Sequence, residues 1–389
     1  MLWFMPITRS PAQKPAHKDL GRNGQARAIT PKAAYAPVSN RAGSRSLSIT
    51  RSPAQKSACK DLKRNGKARP SRLRPLTLRF LTAPARAHFL ERSNVWMVVK
   101  IKEGYMPFHE YKTYYRIVGE PSADKAPLLI HGGPGSSHNY FELMDDYAET
   151  GRQLIMYDQV GCGKSSLPED PGVYVKETWA EELVALRKFL HLDELHMLGQ
   201  SWGGMLEMYY LTSFDPQGIK SVMIDGSPAS IKLWVQEQHR LIKYLSYEDR
   251  AAIAEAERTG DFTNVKYLAA NDRYMEKYCW DDPDENSPEP LRRPTNGKRA
   301  SLIAEGPNEF TENGTISDFD VTDQLHKIHV PVLVTSGTDD LCTPLIAKSV
   351  VDHIPGAKWH LFANSRHLAL LDQHDEFIHV LDQWLAAND

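Results

Sequence analysis

The run GQSWGG at 199–204 sits between two apolar stretches, LHMLG before it and MLEMYYLTSF after it. If the first is a strand and the second a helix, the chain must reverse within one tight turn, and the residues flanking the central serine have no space for side chains. Gly199 and Gly203 meet that demand. Ser201 is then held on a strained elbow with its Oγ exposed above the edge of a sheet, the position of a nucleophile. The bare pattern Gly-x-Ser-x-Gly also occurs as an ordinary Gly-rich turn; the strand and helix on either side are what make it informative.

An elbow of this kind needs a parallel sheet with crossover helices, and the rest of the chain supplies that pattern. Short apolar runs at 128–131, 153–157, 195–199, 221–224, 332–336 and 358–362 predict strands, separated by segments of helical periodicity. Thr178 and Glu181 form a capping-box pair, and Trp179, Leu183, Leu186 and Leu190 then fall on one face of a predicted helix. The expected fold class is α/β, a mostly parallel sheet flanked by helices. Its rhythm breaks over 228–318, where helical patterns at 233–244 and 251–258 give way to the Pro- and Asp-rich YCWDDPDENSPEPLRRPTNG. That region is expected to be a mainly helical lid inserted before the last strands, with 97–227 and 319–389 forming the core. A lid there would close the site and select substrates.

The formal charge of −2 over 389 residues hides two unlike pieces. Residues 1–96 hold 20 basic and three acidic residues, a charge of +17, whereas the other 293 hold 27 and 46, a charge of −19. Within the basic piece, ITRSPAQKPAHKDLGRNGQARA (7–28) recurs at 49–70 with 17 of 22 positions identical. Neither copy has an apolar face to stack, so disorder is expected. A transit peptide and a nucleic-acid tail compete with the favoured reading, a weakly constrained extension with Met97 as an alternative initiator. The overall balance argues against a nucleic-acid binder, and no uninterrupted apolar run approaches the roughly 18 residues of a membrane span. Cys162, Cys279 and Cys342 follow no CxxC or Cys/His spacing, which predicts a reduced, cytoplasmic protein without a structural metal.

A serine nucleophile requires a base and an orienting acid, which follow an elbow serine in the order Asp, His. His367, in the turn after 358–362, is the best base, because His360 lies inside a strand and His374 and His379 belong to the final helix. Asp339 and Asp340 both follow the 332–336 run and Asp225 follows another, so three acids are candidates. Two backbone N–H groups must also meet the oxyanion. Trp202, next after the nucleophile, and Gly133 of HGGPG (131–135), in the first strand-to-helix loop, fill those places.

HGGPG, MYDQVGCGKS (156–165), GQSWGG, GPNEF (306–310) and the turns bearing Asp340 and His367 occur in an order that resembles the proline iminopeptidases of the α/β-hydrolase fold, over about residues 100–389. The resemblance implies a metal-independent serine hydrolase with no cofactor: Ser201 as nucleophile, His367 as base, Asp340 as acid, Gly133 and Trp202 as oxyanion donors. It also implies Glu309 of GPNEF as a carboxylate for the free amine of the substrate. The physics agrees, since an ammonium left unpaired in a partly desolvated pocket is costly.

The expected reaction is release of an N-terminal residue, proline or another small or apolar one, from short peptides or amino-acid amides through an acyl-enzyme. Neither a nucleic-acid nor a membrane partner is expected, and no feature specifies an oligomeric state. Epoxide hydrolase and dehalogenase chemistry use an Asp nucleophile on this scaffold, which Ser201 argues against. Where the family commonly places a second acid after the catalytic Asp, this chain has Leu341. That departure favours an alternative, an esterase or lactonase-type tailoring hydrolase on the same scaffold; a non-catalytic ligand-binding protein is a third. Glu207, on the helix behind the nucleophile, is expected to be hydrogen-bonded locally and to have no catalytic role.

Overall fold

The computed structural model describes residues 99–389. The basic segment 1–96, its repeat and Met97 lie outside the described residues.

Eight strands form one sheet: β1 (Ile101–Phe108), β2 (Tyr111–Val118), β3 (Pro127–Ile130), β4 (Leu154–Tyr157), β5 (Leu195–Gln200), β6 (Ile219–Asp225), β7 (Val332–Gly337) and β8 (Lys358–Phe362). Their spatial order is β1-β2-β4-β3-β5-β6-β7-β8. The first two are antiparallel to their neighbours and the remaining pairs are parallel. Six of the eight correspond to the apolar runs. The β1–β2 hairpin escaped that reading because charged residues interrupt its apolar pattern: Lys102, Glu103 and Lys112 are exposed, and Arg116 is buried against Asp145.

The central strands have no solvated face, and successive side chains go to opposite cores. Leu128, Ile130, Ile155, Tyr157, Val222 and Ile224 join the core that contains α1 (Lys176–Phe189) and α2 (Trp202–Phe214). Leu129, Leu154, Met156, Leu198 and Met223 join the other. Trp179, Leu183 and Leu186 are buried as the periodicity requires, but α1 starts two residues ahead of the capping-box pair, with no side-chain cap at Val175. Tertiary seating outweighs the local signal here: the Trp179 indole donates to Val160 O at 3.0 Å and its ring meets Trp202 edge-on.

Between β6 and β7 the chain builds α3 (Ile231–Ile242), α4 (Tyr247–Thr259), α5 (Val265–Tyr278), α6 (Glu289–Arg292) and α7 (Lys298–Ala304), the helical insertion anticipated from the break in strand rhythm. Local chemistry ends these helices cleanly. Ser246 accepts from Asp249 N at the start of α4, Gly260 closes α4 in the left-handed region, and Asn264 accepts from Lys266 N to open α5. Trp234, Leu241, Tyr267 and Tyr274 carry the apolar faces into the second core, together with α10 (His374–Ala386), which follows α8 (Pro344–His353) and α9 (Ala369–Asp372). No helix among the described residues is long and apolar enough to cross a membrane. Cys162, Cys279 and Cys342 are free and buried.

Candidate active site

Ser201 occupies the single residue between β5 and α2, with φ 55° and ψ −121°. A residue with a side chain rarely adopts a positive φ, and the surroundings must hold it there. They do so through the Ser201 N–H, which donates to Asp225 O at 2.8 Å, and through close packing on both sides. A Cβ on Gly199 would lie 2.5 Å from the backbone of Gly203, and one on Gly203 would lie 2.0 Å from Ile130 O. The two glycines of the motif are therefore required by space, as the sequence pattern implied.

His367 lies in the turn after β8, 7% exposed, with Nδ1 2.7 Å from Asp340 Oδ1. Asp340 also accepts the backbone N–H of Cys342 at 2.7 Å and of Gly337 at 3.2 Å. Asp339 is exposed and its carboxylate meets Thr338 Oγ1. Asp225 is buried against Thr335 Oγ1 at 2.6 Å, and its carboxyl is pushed up to about 7, first by burial and then by the charge of Asp340. Of the three candidate acids, Asp340 is the one bonded to the His367 ring. Burial disfavours charge on that ring, but the charge and hydrogen bond of Asp340 prevail and raise it above the ordinary histidine value. Ser201 and His367 face one cavity of about 430 Å³. Among the described residues no hydrogen bond joins them, and such contacts commonly close only around substrate.

Gly133, at φ 108°, also lines this cavity, and Trp202 opens α2 directly beneath it. A buried frame ties the two regions together. The Trp202 indole donates to Gln159 Oε1 at 2.8 Å, while Gln159 Nε2 donates to His131 O at 2.9 Å and Gln159 N to His131 Nε2 at 3.1 Å. Burial lowers His131 to about 4, so it is neutral. Asp158, fully buried, accepts from the His138 ring at 2.7 Å and from Lys164 N at 2.7 Å. The DQVGCGKS loop is thus a brace under the HGGPG turn.

A third element comes from the insertion. Glu305, Glu309 and Glu312 place carboxylate oxygens within 4.8 Å of one another, and Glu305 and Glu309 line the cavity. Glu305 is 5% exposed and accepts from Ser301 Oγ at 3.1 Å. Burial, then the charge of Glu309, raises it well above the usual carboxylate range; burial, then Glu305 and Glu309, does the same to Glu312. The Trp234 indole on α3 donates to Glu309 O at 2.9 Å and its ring lies 6.0 Å from that of His367. These three acids are also the one grouping among the described residues compact enough to hold a metal ion. Glu305 and Glu312 escaped the sequence reading, because residues 305–312 form a non-helical loop after α7 in which no regular spacing marks a shared face.

Leu341 has a different use. It is fully buried in the second core, donates its N–H to Tyr278 O and accepts from Gln238 Nε2, so it joins the sheet edge to the insertion by packing. Glu207 is less well bonded than expected: its carboxylate oxygens and the Tyr157 hydroxyl are buried without a hydrogen-bond partner of good geometry. Its one favourable neighbour is the Gly199 N–H, and burial pushes the carboxyl well above its ordinary range.

A family model described as alpha/beta hydrolase fold matches residues 128–373. A proline iminopeptidase of Clostridioides difficile (strain 630) is 52% identical over 293 residues, covering 75% of this chain and 100% of that protein. The chain belongs to the proline iminopeptidase family. Among solved structures, a proline iminopeptidase of Mycobacterium smegmatis superposes with TM-score 0.67 at 32% identity, covering 74% of this chain and 98% of that one. VinJ superposes with TM-score 0.69 at 29% identity, covering 74% and 99%. The resemblance read from HGGPG, GQSWGG and GPNEF therefore holds, and the family member described here is an α/β-fold hydrolase.

Proposed function

We propose that this protein releases an N-terminal residue, proline or another small or apolar one, from short peptides and amino-acid amides through a serine acyl-enzyme. One observation carries the reading: a single cavity brings the Ser201 elbow and the His367–Asp340 pair together with carboxylates contributed by the insertion. Nucleophile, base and a receptor for a cation are what cleavage beside a free N-terminal amine requires.

With Nδ1–H given to Asp340, His367 presents Nε2 as the base. It takes the Ser201 proton as Oγ bonds to the carbonyl carbon of the N-terminal residue, and the backbone N–H groups of Gly133 and Trp202 receive the oxyanion. The C–N bond then breaks, His367 returns the proton to the leaving amine, and an ester to Ser201 remains. Water, deprotonated by His367, attacks that ester; its collapse frees the amino acid and restores the serine. Throughout, Glu305 and Glu309 hold the substrate's ammonium, whose positive charge in turn relieves their repulsion from each other and from the neighbouring Glu312. Leu341, the reason for considering an esterase or lactonase, lies in the apolar packing, and the cationic end of the substrate has two other carboxylates, Glu305 and Glu309, on the cavity wall. The helices between β6 and β7 act as a lid that admits short chains. The free thiols of Cys162, Cys279 and Cys342, among the described residues, support a reducing, cytoplasmic setting.

Hydrolysis of prolyl, alanyl and leucyl arylamides, each compared with its N-acetyl form and with p-nitrophenyl esters, tests the assignment. Acetylation is expected to abolish arylamide turnover. Equal rates with and without the acetyl group, or turnover of esters alone, would overturn it.

A further inference from the structure

Beneath Ser201 a second buried hydrogen-bond path runs from the oxyanion loop to the histidine turn, and neither the triad nor the acid wall uses it. The Gly132 N–H donates to Tyr140 Oη at 3.0 Å. Tyr140 Oη donates to Gln200 Oε1 at 3.2 Å, and Gln200 Nε2 donates to the backbone carbonyl of His367 at 3.3 Å. Every donor in this path has an acceptor, and the two side chains are 7% and 4% exposed. Gln200 immediately precedes the nucleophile, and a Cβ on Gly132 would lie 2.5 Å from Gln200 Oε1 and 3.0 Å from the Ser201 Cβ. The loop is thus pressed directly onto the elbow at this point.

We propose that Tyr140 and Gln200 are positioning residues that couple the oxyanion loop to the histidine turn, so that Gly133 and His367 are aligned on Ser201 together. The proposal rests on the serine mechanism assigned above. Residues 132, 140, 200 and 367 come from four separate parts of the chain, and this path is a direct polar connection from the HGGPG turn to the turn of His367. Within a buried, low-dielectric floor each bond holds its partner in a fixed direction, and removing one frees the next group along. Small misplacements of an oxyanion donor or base translate into large losses of rate. Burial also raises the Tyr140 hydroxyl well above its ordinary value, so it remains a donor throughout the working range.

Tyr140→Phe removes only the hydroxyl, Gln200→Met keeps the length of the side chain without its polar atoms, and Gln200→Glu keeps an acceptor for Tyr140 while losing the donor to His367. A fluorophosphonate reads the assembled machinery independently of substrate choice, so the rate constant for labelling Ser201 is measured beside kcat and KM on the best arylamide. Each single variant is expected to slow labelling and kcat by about tenfold at a temperature where it remains folded, with KM within about threefold. Because Tyr140 and Gln200 serve one path, Tyr140→Phe combined with Gln200→Met is expected to stay near the same tenfold loss, not the roughly hundredfold of independent effects. Wild-type labelling rates in the single variants, or losses that multiply in the double, would overturn the coupling. If Gln200→Met does not fold, Tyr140→Phe combined with Gln200→Glu gives the same test of additivity. A wild-type protein that the fluorophosphonate does not label at Ser201 would instead overturn the serine mechanism, and this proposal with it.

Discussion

Asp340 and Glu305 are both buried carboxylates serving one cavity, and the fold treats them in opposite ways. Asp340 follows β7 and is given donors from three directions: the His367 ring and the N–H groups of Cys342 and Gly337. Glu305 ends α7 in the insertion, where it receives one hydroxyl and faces two more glutamates. Asp340 is met by fixed donors of the protein itself, whereas Glu305 and Glu312 face like charge, which together with burial holds them well above the usual carboxylate range. A sheet edge can supply fixed backbone donors, which suits a group that must keep one geometry through a reaction. A helical insertion supplies a concentration of like charge, which suits a group whose partner arrives with the substrate.

The largest effects should come from the sheet-edge side. Ser201→Ala is expected to reduce kcat by about four to six orders of magnitude with the fold intact, and Asp340→Asn by about four, since the amide leaves the histidine in the wrong tautomer. Asp339→Asn, one residue away and exposed, should stay within about twofold of wild type. Steady-state rates on a prolyl arylamide decide this, and a severe loss in Asp339→Asn with mild loss in Asp340→Asn would reverse the assignment.

The insertion side should respond in binding. Glu305→Gln and Glu309→Gln are expected to raise KM for free-amine arylamides by about ten- to hundredfold, the range for losing a charge-assisted contact in a shielded site, with a smaller change in kcat. The same variants should leave p-nitrophenyl acetate hydrolysis nearly unchanged. Equal damage to both substrate types would mean that the acids support the fold or the triad and do not select the amine.

The two sides also separate by pH. His367 must be neutral to act as base, and its pKa is raised, so turnover should fall as pH drops through a value above the ordinary ~6.5. Glu305 and Glu312 are raised as well, and a protonated carboxyl loses its hold on an ammonium, so binding of the amine also weakens as pH falls. The acid limb of kcat/KM should then be steeper than one proton for a free-amine arylamide and close to one proton for an ester. Matching slopes would remove the distinction drawn between Asp340 and the glutamate cluster.

This division also accounts for what could be read from the chain. The elbow was legible because steric demand leaves only glycine at 199 and 203, and such constraints survive in sequence as identities at fixed spacing. His367 was legible by elimination, since the other candidates fall inside a strand or helix. Asp340 could be separated from Asp339 and Asp225 by family likeness alone, because which of them faces His367 depends on how Cys342 and Gly337 turn the backbone. The glutamate wall was seen only at Glu309: its members are brought together by an irregular loop that folds back on itself, with Asn313 N and Gly314 N donating to Glu305 O and Asn308 Oδ1 accepting from Phe310 N and Thr311 N, not by a regular periodicity. The β1–β2 hairpin was missed for a related reason, since the exposed Lys102, Glu103 and Lys112 and the buried, ion-paired Arg116 break the apolar signal on which strands are recognised.

Glu207 extends the comparison to a buried carboxylate with only the Gly199 N–H beside it and outside the lining of the cavity. Its oxygens lack good hydrogen bonds, and burial holds it well above the carboxylate range, so folding takes up a proton at any pH above the unfolded value of ~4.3 until the folded value is reached. The stability it costs is absent below that unfolded value and grows as pH rises through the window between the two. Glu207→Met, similar in length and apolar, should therefore stabilise the protein by about 1–3 kcal/mol at pH 8 and by less at pH 5, with kcat/KM unchanged within about twofold. Denaturant midpoints at the two pH values provide the measurement. A gain independent of pH would show that packing, not the proton, sets the cost, and a loss would show that Glu207 has a partner in solution comparable to those that Asp340 receives from the sheet edge.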